Sequence, residues 1–326
     1  MNLNYIILLF DELNMTLPMN KMYVKMLGEG GFGKLQLYKC KKNCSNYNCN
    51  KCVVVKNMKT DSNQFESNKN FFINHFFNEY YMTINLNHPN IRKTLSIDKK
   101  KHNITFEYCH GQDLLDYLLI YKGNTKFLLH LYSQILDGVE YLHNNNIAHL
   151  DLKLENIMVY NNHIKIIDFG EAMIYKIDGK EILYKGIHGT DLCMPPEMIQ
   201  KKLYKPHKVD IWCCGILLFN IINPYVPWEF ADHKTDKLYA RFKYSLEHYN
   251  KLDEFVFKPF DSAKYSINEQ KIIMTIFKHT FQINPNLRKP VSMLKSIFNL
   301  IDWETSNTNS PYKTCILHKK IKSISN

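Results

Sequence analysis

Residues 149–156 read H-L-D-L-K-L-E-N, which sets a carboxylate at Asp151, an amine at Lys153 and an amide at Asn156 within six positions. Twelve positions after Asn156 comes D-F-G, and with it a second carboxylate at Asp168. A carboxylate can take a proton from a hydroxyl, and an amine can offset charge on a phosphate. An amide and a further carboxylate offer hard oxygens to Mg2+. Together these are the groups that phosphoryl transfer requires. D-F-G alone is frequent by chance; this pair of runs at this distance is not.

Such groups need elements that aim them. Gly28, Gly30 and Gly33 form a G-x-G-x-x-G between the alternating runs K-M-Y-V-K-M-L and K-L-Q-L-Y-K. A dinucleotide fingerprint would lead from strand into helix. Two flanking strand patterns instead predict a hairpin whose glycines let backbone approach phosphate oxygens. Val53-Val54-Val55 is a β-branched strand ending at Lys56, and Glu79 lies in a helix-period stretch with Phe72, Phe76, Phe77 and Tyr80. Ile104–Cys109 ends another strand. His110–Leu115 then opens a helix with Asp113 near its start, where a carboxylate also favours the helix dipole.

In order and spacing these runs resemble the eukaryotic protein kinases of the serine/threonine type, over about residues 21–302. The resemblance implies an α+β, bilobal fold. It has a small lobe (21–107) with a five-stranded antiparallel sheet and one main helix, and a larger, mainly helical lobe (108–302). Residues 1–20 read as a lead-in and 303–326 as a flexible basic tail. It further implies ATP and Mg2+ as cofactors and protein substrates. Lys56, oriented by Glu79, would bind the α/β-phosphates, with Asn156 and Asp168 as the Mg2+ ligands. Asp151 would act as base and Lys153 would steady the γ-phosphate. Leu27, Leu35, Val54 and Met158 would sandwich the adenine, whose edge meets the backbone of Glu107 and Cys109 behind Phe106. Asp113 would bond the ribose.

Later runs extend the resemblance. Gly189-Thr190 precede Met194-Pro195-Pro196-Glu197, and Thr190 would bond both Asp151 and Lys153, which favours Ser/Thr over Tyr substrates. Asp210-Ile211-Trp212 opens a buried helix. Asn284-Pro285-Asn286-Leu287-Arg288 would supply a partner for Glu197, and Arg288 is one of only three arginines in the chain. Two departures occur together. Leu150 stands where the family usually has Arg before the base, a non-RD pattern, and Gly186 stands where the loop usually carries its phosphate. Activity independent of phosphorylation at that site is the expectation, with Tyr175 and Tyr184 as other loop hydroxyls. Glu155 resembles half of an acidic pocket for basic residues; Asn220 replaces the other half. A pseudokinase scaffold that binds ATP and partners is the alternative, disfavoured because Lys56, Asp151 and Asp168 are all present.

Composition is compatible. The 326 residues are 45% apolar and carry a formal charge of +11. Lysine spread over the whole chain produces that charge, so direct nucleic-acid binding is not expected. No apolar run is long enough for a membrane span; Tyr5–Phe10 is too short and lacks a basic flank. Five of nine cysteines lie scattered, as in a reducing, cytoplasmic compartment. The other four, Cys40, Cys44, Cys49 and Cys52, cluster on the connection between the second and third strands, where four thiolates would suit a structural Zn2+. Oligomeric state is not legible.

Overall fold

The computed structural model describes residues 21–30, 33–40, 52–58, 69–120, 125–257, 265–301 and 303. The chain divides between His110 and Gly111 into two compact units, with Asp168–Ala172 belonging to the first. The expected lead-in, and the tail beyond Trp303, lie outside the described residues.

The first unit contains β1 (Lys21–Glu29), β2 (Gly33–Cys40), β3 (Val53–Met58), α1 (Lys69–Thr83), β4 (Thr94–Asp98) and β5 (Asn103–Glu107). Its sheet runs β1-β2-β3-β5-β4 with every neighbouring pair antiparallel. The three valines of β3 are all buried, which is why a β-branched run takes a central strand. Phe76 and Tyr80, one turn apart on α1, pack with Met58, Ile97, Ile104 and Phe106 to make the core. Glu79 is adjacent to Tyr80 and fully buried, so packing carries a carboxylate inward. Gly33 is required by geometry: a Cβ there would stand 2.6 Å from the Asn57 carbonyl oxygen on β3.

The second unit begins with β6 (Gln112–Asp113), α2 (Leu114–Ile120) and α3 (Thr125–Asn144). Short strands follow: β7 (Ile147–Ala148), β8 (Ile157–Tyr160), β9 (His163–Ile166), β10 (Met173–Ile174), β11 (Lys176–Ile177) and β12 (Lys180–Glu181). Helices complete it: α4 (Pro196–Ile199), α5 (Pro206–Ile222), α6 (Lys237–Tyr249), α7 (Ile267–Thr280) and α8 (Val291–Phe298). Nearly all of α5 is buried, as its apolar sequence on every side requires. Trp212 on α5 packs with Trp228, Tyr239 and Phe281. Ser266 and Glu269 start α7 with a reciprocal capping box. Among the described residues no helix is long and apolar enough to cross a membrane.

Candidate active site

In the first unit, β3 and α1 bring two charges together. Lys56 Nζ donates to Glu79 Oε2 at 2.6 Å and lies 3.7 Å from Asp168 Oδ1. Burial alone would pull the Lys56 amine down, but Glu79 and then Asp168 outweigh it, and the amine sits above its ordinary range. Asp168 has φ of 61° and a side chain 51% exposed, so its carboxylate is open to a ligand, while Glu79 is shut inside and only the Lys56 amine beside it keeps some exposure. Asn78, next to Glu79, donates to the carbonyls of Gly170 (3.1 Å) and Ala172 (2.8 Å). His75, one turn earlier, lies 3.7 Å from Glu171. One face of α1 therefore holds Gly170, Glu171 and Ala172. Sequence reasoning named Glu79 but missed Asn78 and His75; their i, i+3, i+4 spacing was the available signal.

In the second unit three side chains gather around one carboxylate on the loop between β7 and β8, two from that loop and the third that of Thr190. Asp151 Oδ2 accepts from Asn156 Nδ2 (2.9 Å) and pairs with Lys153 Nζ (2.8 Å). Asp151 Oδ1 accepts from Thr190 Oγ1 at 2.9 Å, and Thr190 in turn accepts from Lys153 Nζ at 2.7 Å. Gly189 makes that approach feasible. It has φ of +77°, and a Cβ there would stand 2.3 Å from the Leu150 carbonyl oxygen. Beneath the loop, buried Asp210 accepts from the backbone N–H groups of His149 and Leu150, both at 2.9 Å, and meets His143 Nε2 at 2.9 Å. A buried carboxylate with three partners fixes the backbone that carries Asp151.

Comparison with known proteins decides the family. The profile of the protein kinase domain matches residues 22–297. This chain belongs to the protein kinase domain family. It is 37% identical over 173 residues to the serine/threonine-protein kinase ppk8 of Schizosaccharomyces pombe, covering 51% of this chain and 33% of that protein. To the serine/threonine-protein kinase PRR2 of Saccharomyces cerevisiae it is 32% identical over 214 residues, 64% of this chain and 29% of that one. To the serine/threonine-protein kinase chk-1 of Caenorhabditis briggsae it is 29% identical over 244 residues, 73% and 46% respectively. The chain thus spans about a third of the length of the first two relatives. Membership of the protein kinase domain family implies the use of ATP and Mg2+.

The remaining expected residues of the kinase domain fall in each unit separately. Leu27 on β1, Leu35 on β2 and Val54 on β3 belong to the first, with Glu107 and Cys109 at the end of its chain. The Glu107 N–H donates to the Lys93 carbonyl (3.0 Å), so this residue can offer a base only its own carbonyl. Gly28 and Gly30 have no heavy atom within 4 Å of where a Cβ would stand, among the described residues, which suits backbone that must meet phosphate. Met158 on β8 pairs in register with Asp113, and Asp113 Oδ1 accepts from the Asp116 N–H at 2.8 Å. Asp113 is therefore the cap of α2 in this structure.

Sequence reasoning left open what holds the segment after D-F-G, and the second unit supplies an answer without a phosphate. β10 pairs with β7, β11 with β12, and Tyr184 bridges Tyr204 through two 2.9 Å backbone bonds. Glu181 pairs with Lys205 at 2.6 Å, and the Tyr175 hydroxyl donates to the His143 carbonyl at 2.7 Å. Leu150 is buried, an apolar side chain where an arginine would present charge.

The zinc expectation finds no support. Cys44 and Cys49 lie outside the described residues, Cys40 is described in its backbone only, and Cys52 is buried. Among the described residues no group of three His, Cys, Asp or Glu is placed to hold a metal. Cys52 sits at the start of β3 beside three buried valines, so its apolar surroundings account for its burial.

Proposed function

We propose that this chain is an ATP-dependent protein serine/threonine kinase that moves the γ-phosphate of ATP onto Ser and Thr hydroxyls of protein substrates. The observation that carries the reading is the Lys153–Thr190–Asp151 chain of hydrogen bonds, 2.7 Å and 2.9 Å long. It locks a base and a cation in one geometry, and a core needs no such array. Similarity to relatives named serine/threonine-protein kinases supports it.

Each residue then has a task. Lys56, charged and held by Glu79, binds the α/β-phosphates, and the backbone around Gly28, Gly30 and Gly33 lies over them. Leu27, Leu35, Val54 and Met158 enclose the adenine, Glu107 and Cys109 bond its edge, and Asp113 meets the ribose. Asp168 and the side-chain oxygen of Asn156, whose amide nitrogen is spent on Asp151, are hard donors that fit Mg2+. Held there, Mg2+ would supply positive charge to offset what develops on the phosphate oxygens. Asp151 orients the substrate hydroxyl and takes its proton, while Lys153 steadies the phosphoryl group. Positioning and charge supply most of the catalysis. Glu155 favours a basic residue near the phosphoacceptor. The buried thiols Cys193, Cys213 and Cys214 suit a reducing, cytoplasmic setting.

Purified protein incubated with labelled ATP, Mg2+ and a generic protein substrate tests this directly. Phosphoserine and phosphothreonine are expected. Phosphotyrosine alone, or ATP binding without transfer, would overturn the assignment, the second outcome in favour of a scaffold.

A further inference from the structure

Arg92 has no task in the constellation above, yet its environment is among the most specific in the first unit. It is one of three arginines in a chain where lysine supplies nearly all positive charge. Its side chain is buried, and Nη2 meets Glu79 Oε1. The guanidinium carbon stands 3.7 Å from the centre of the Phe106 ring on β5. A lysine would supply the charge but not the planar stack.

Glu79 is thus held from two sides, Lys56 on Oε2 and Arg92 on Oε1. A buried carboxylate has to keep its partners, because an unpaired charge in the interior is costly. Lys56 is the partner that must also serve phosphate, and Arg92 is the one that need not move. Its stack on Phe106 ties it to the sheet, so its bond to Glu79 fastens α1 to the sheet at the residue that orients Lys56.

We propose that Arg92 is a positioning residue, locking Glu79 and with it α1 in the Lys56-paired arrangement. The proposal rests on the kinase reading for its effect on rate, and on geometry alone for the coupling of Arg92 to Glu79.

The test compares wild type, Arg92→Met, Arg92→Lys, Glu79→Leu and the double variant Glu79→Leu/Arg92→Met in steady-state kinetics and thermal melting. Arg92→Met should lower kcat/KM for ATP about tenfold or more while the KM for peptide stays within about twofold. Arg92→Lys should recover only part of the loss, since an ammonium can serve Oε1 but cannot stack on Phe106. In the Glu79→Leu background the same Arg92→Met change should cost no further activity and should raise the melting temperature, because it removes a buried cation with no partner. Equal losses in both backgrounds would make Arg92 a packing element and sink the proposal, as would no loss in wild type. If Arg92→Met fails to fold while the double variant folds, the contrast itself establishes the coupling; if neither folds, the coupling is refuted. A wild-type protein that transfers no phosphate would overturn the kinase reading instead, and the melting cycle would still decide the Arg92–Glu79 coupling.

Discussion

Arg288 forks onto Glu197, Nη1 2.6 Å from Oε1 and Nη2 2.8 Å from Oε2, with both side chains buried. The same guanidinium donates through Nε to the Gln282 carbonyl and through Nη1 to the Lys208 carbonyl, and lies over the Trp212 ring. One side chain therefore joins α4, α5 and the loop before α8. Arg288→Met would leave the Glu197 carboxylate buried and unpaired, and should destabilise the protein by roughly 3–5 kcal/mol. Urea unfolding measures this. A loss under about 1 kcal/mol would mean that the pair contributes no more than an exposed one.

Lys56, Asp168 and Asp151 are held by other side chains more than they hold the fold, so their replacement should separate activity from stability. Lys56→Met and Asp168→Asn should each lower kcat by about 10²–10³ or more, and Asp151→Asn by about 10²–10⁴. Circular dichroism should be unchanged. A variant that keeps its rate removes that residue from the mechanism.

Much of this was legible in the chain because phosphoryl transfer fixes residue types at fixed intervals. The spacing from Asp151 to Asn156 to Asp168, the glycine hairpin and the Lys56–Glu79 pair all come from contiguous runs with one chemical purpose. What could not be read were contacts set by packing rather than by local pattern. Arg92 lies thirteen positions after Glu79, and Asn78 reaches carbonyls more than ninety positions away. The helix-start role that the sequence gives Asp113 alongside the ribose is where the structure puts Oδ1, which accepts from the Asp116 N–H. The four-cysteine cluster finds no support for zinc, since of its thiols only that of Cys52 lies among the described residues.

The His207 ring packs tilted against Tyr175, with ring centres 4.3 Å apart, and lies 3.5 Å from Glu181. Burial first, then neighbouring His143 and Lys208, lower its pKa from 6.5 to about 4, against the pull of Glu181. The unfolded chain therefore takes up this proton before the folded one does. The neutral ring's contribution is complete above pH ~6.5 and is lost progressively toward pH ~4. Glu181 acts in the same direction: its bond to Lys205 lowers its pKa, so its contribution also falls in acid. Stability should drop between pH 6.5 and 4, by on the order of 1–2 kcal/mol from His207 after allowance for partial exposure. His207→Phe should flatten that slope in urea titrations at several pH values. An unchanged slope would place the titration elsewhere.

The β11–β12 hairpin should keep the enzyme competent without loop phosphorylation. Gly186 offers no hydroxyl and Leu150 no cation, while the Glu181–Lys205 pair (2.6 Å) and the Tyr184–Tyr204 bridge hold the same segment. Protein made in bacteria and treated with phosphatase should phosphorylate substrate at the untreated rate. Glu181→Lys, which sets two cations against each other, should lower kcat about tenfold by loosening the segment that carries Thr190. It should also speed proteolytic cleavage between Tyr175 and Thr190. An inactive dephosphorylated protein that recovers once an upstream kinase modifies Tyr175 or Tyr184 would show that the hairpin alone is not enough, because a bond network that sufficed would leave such a phosphate nothing to add.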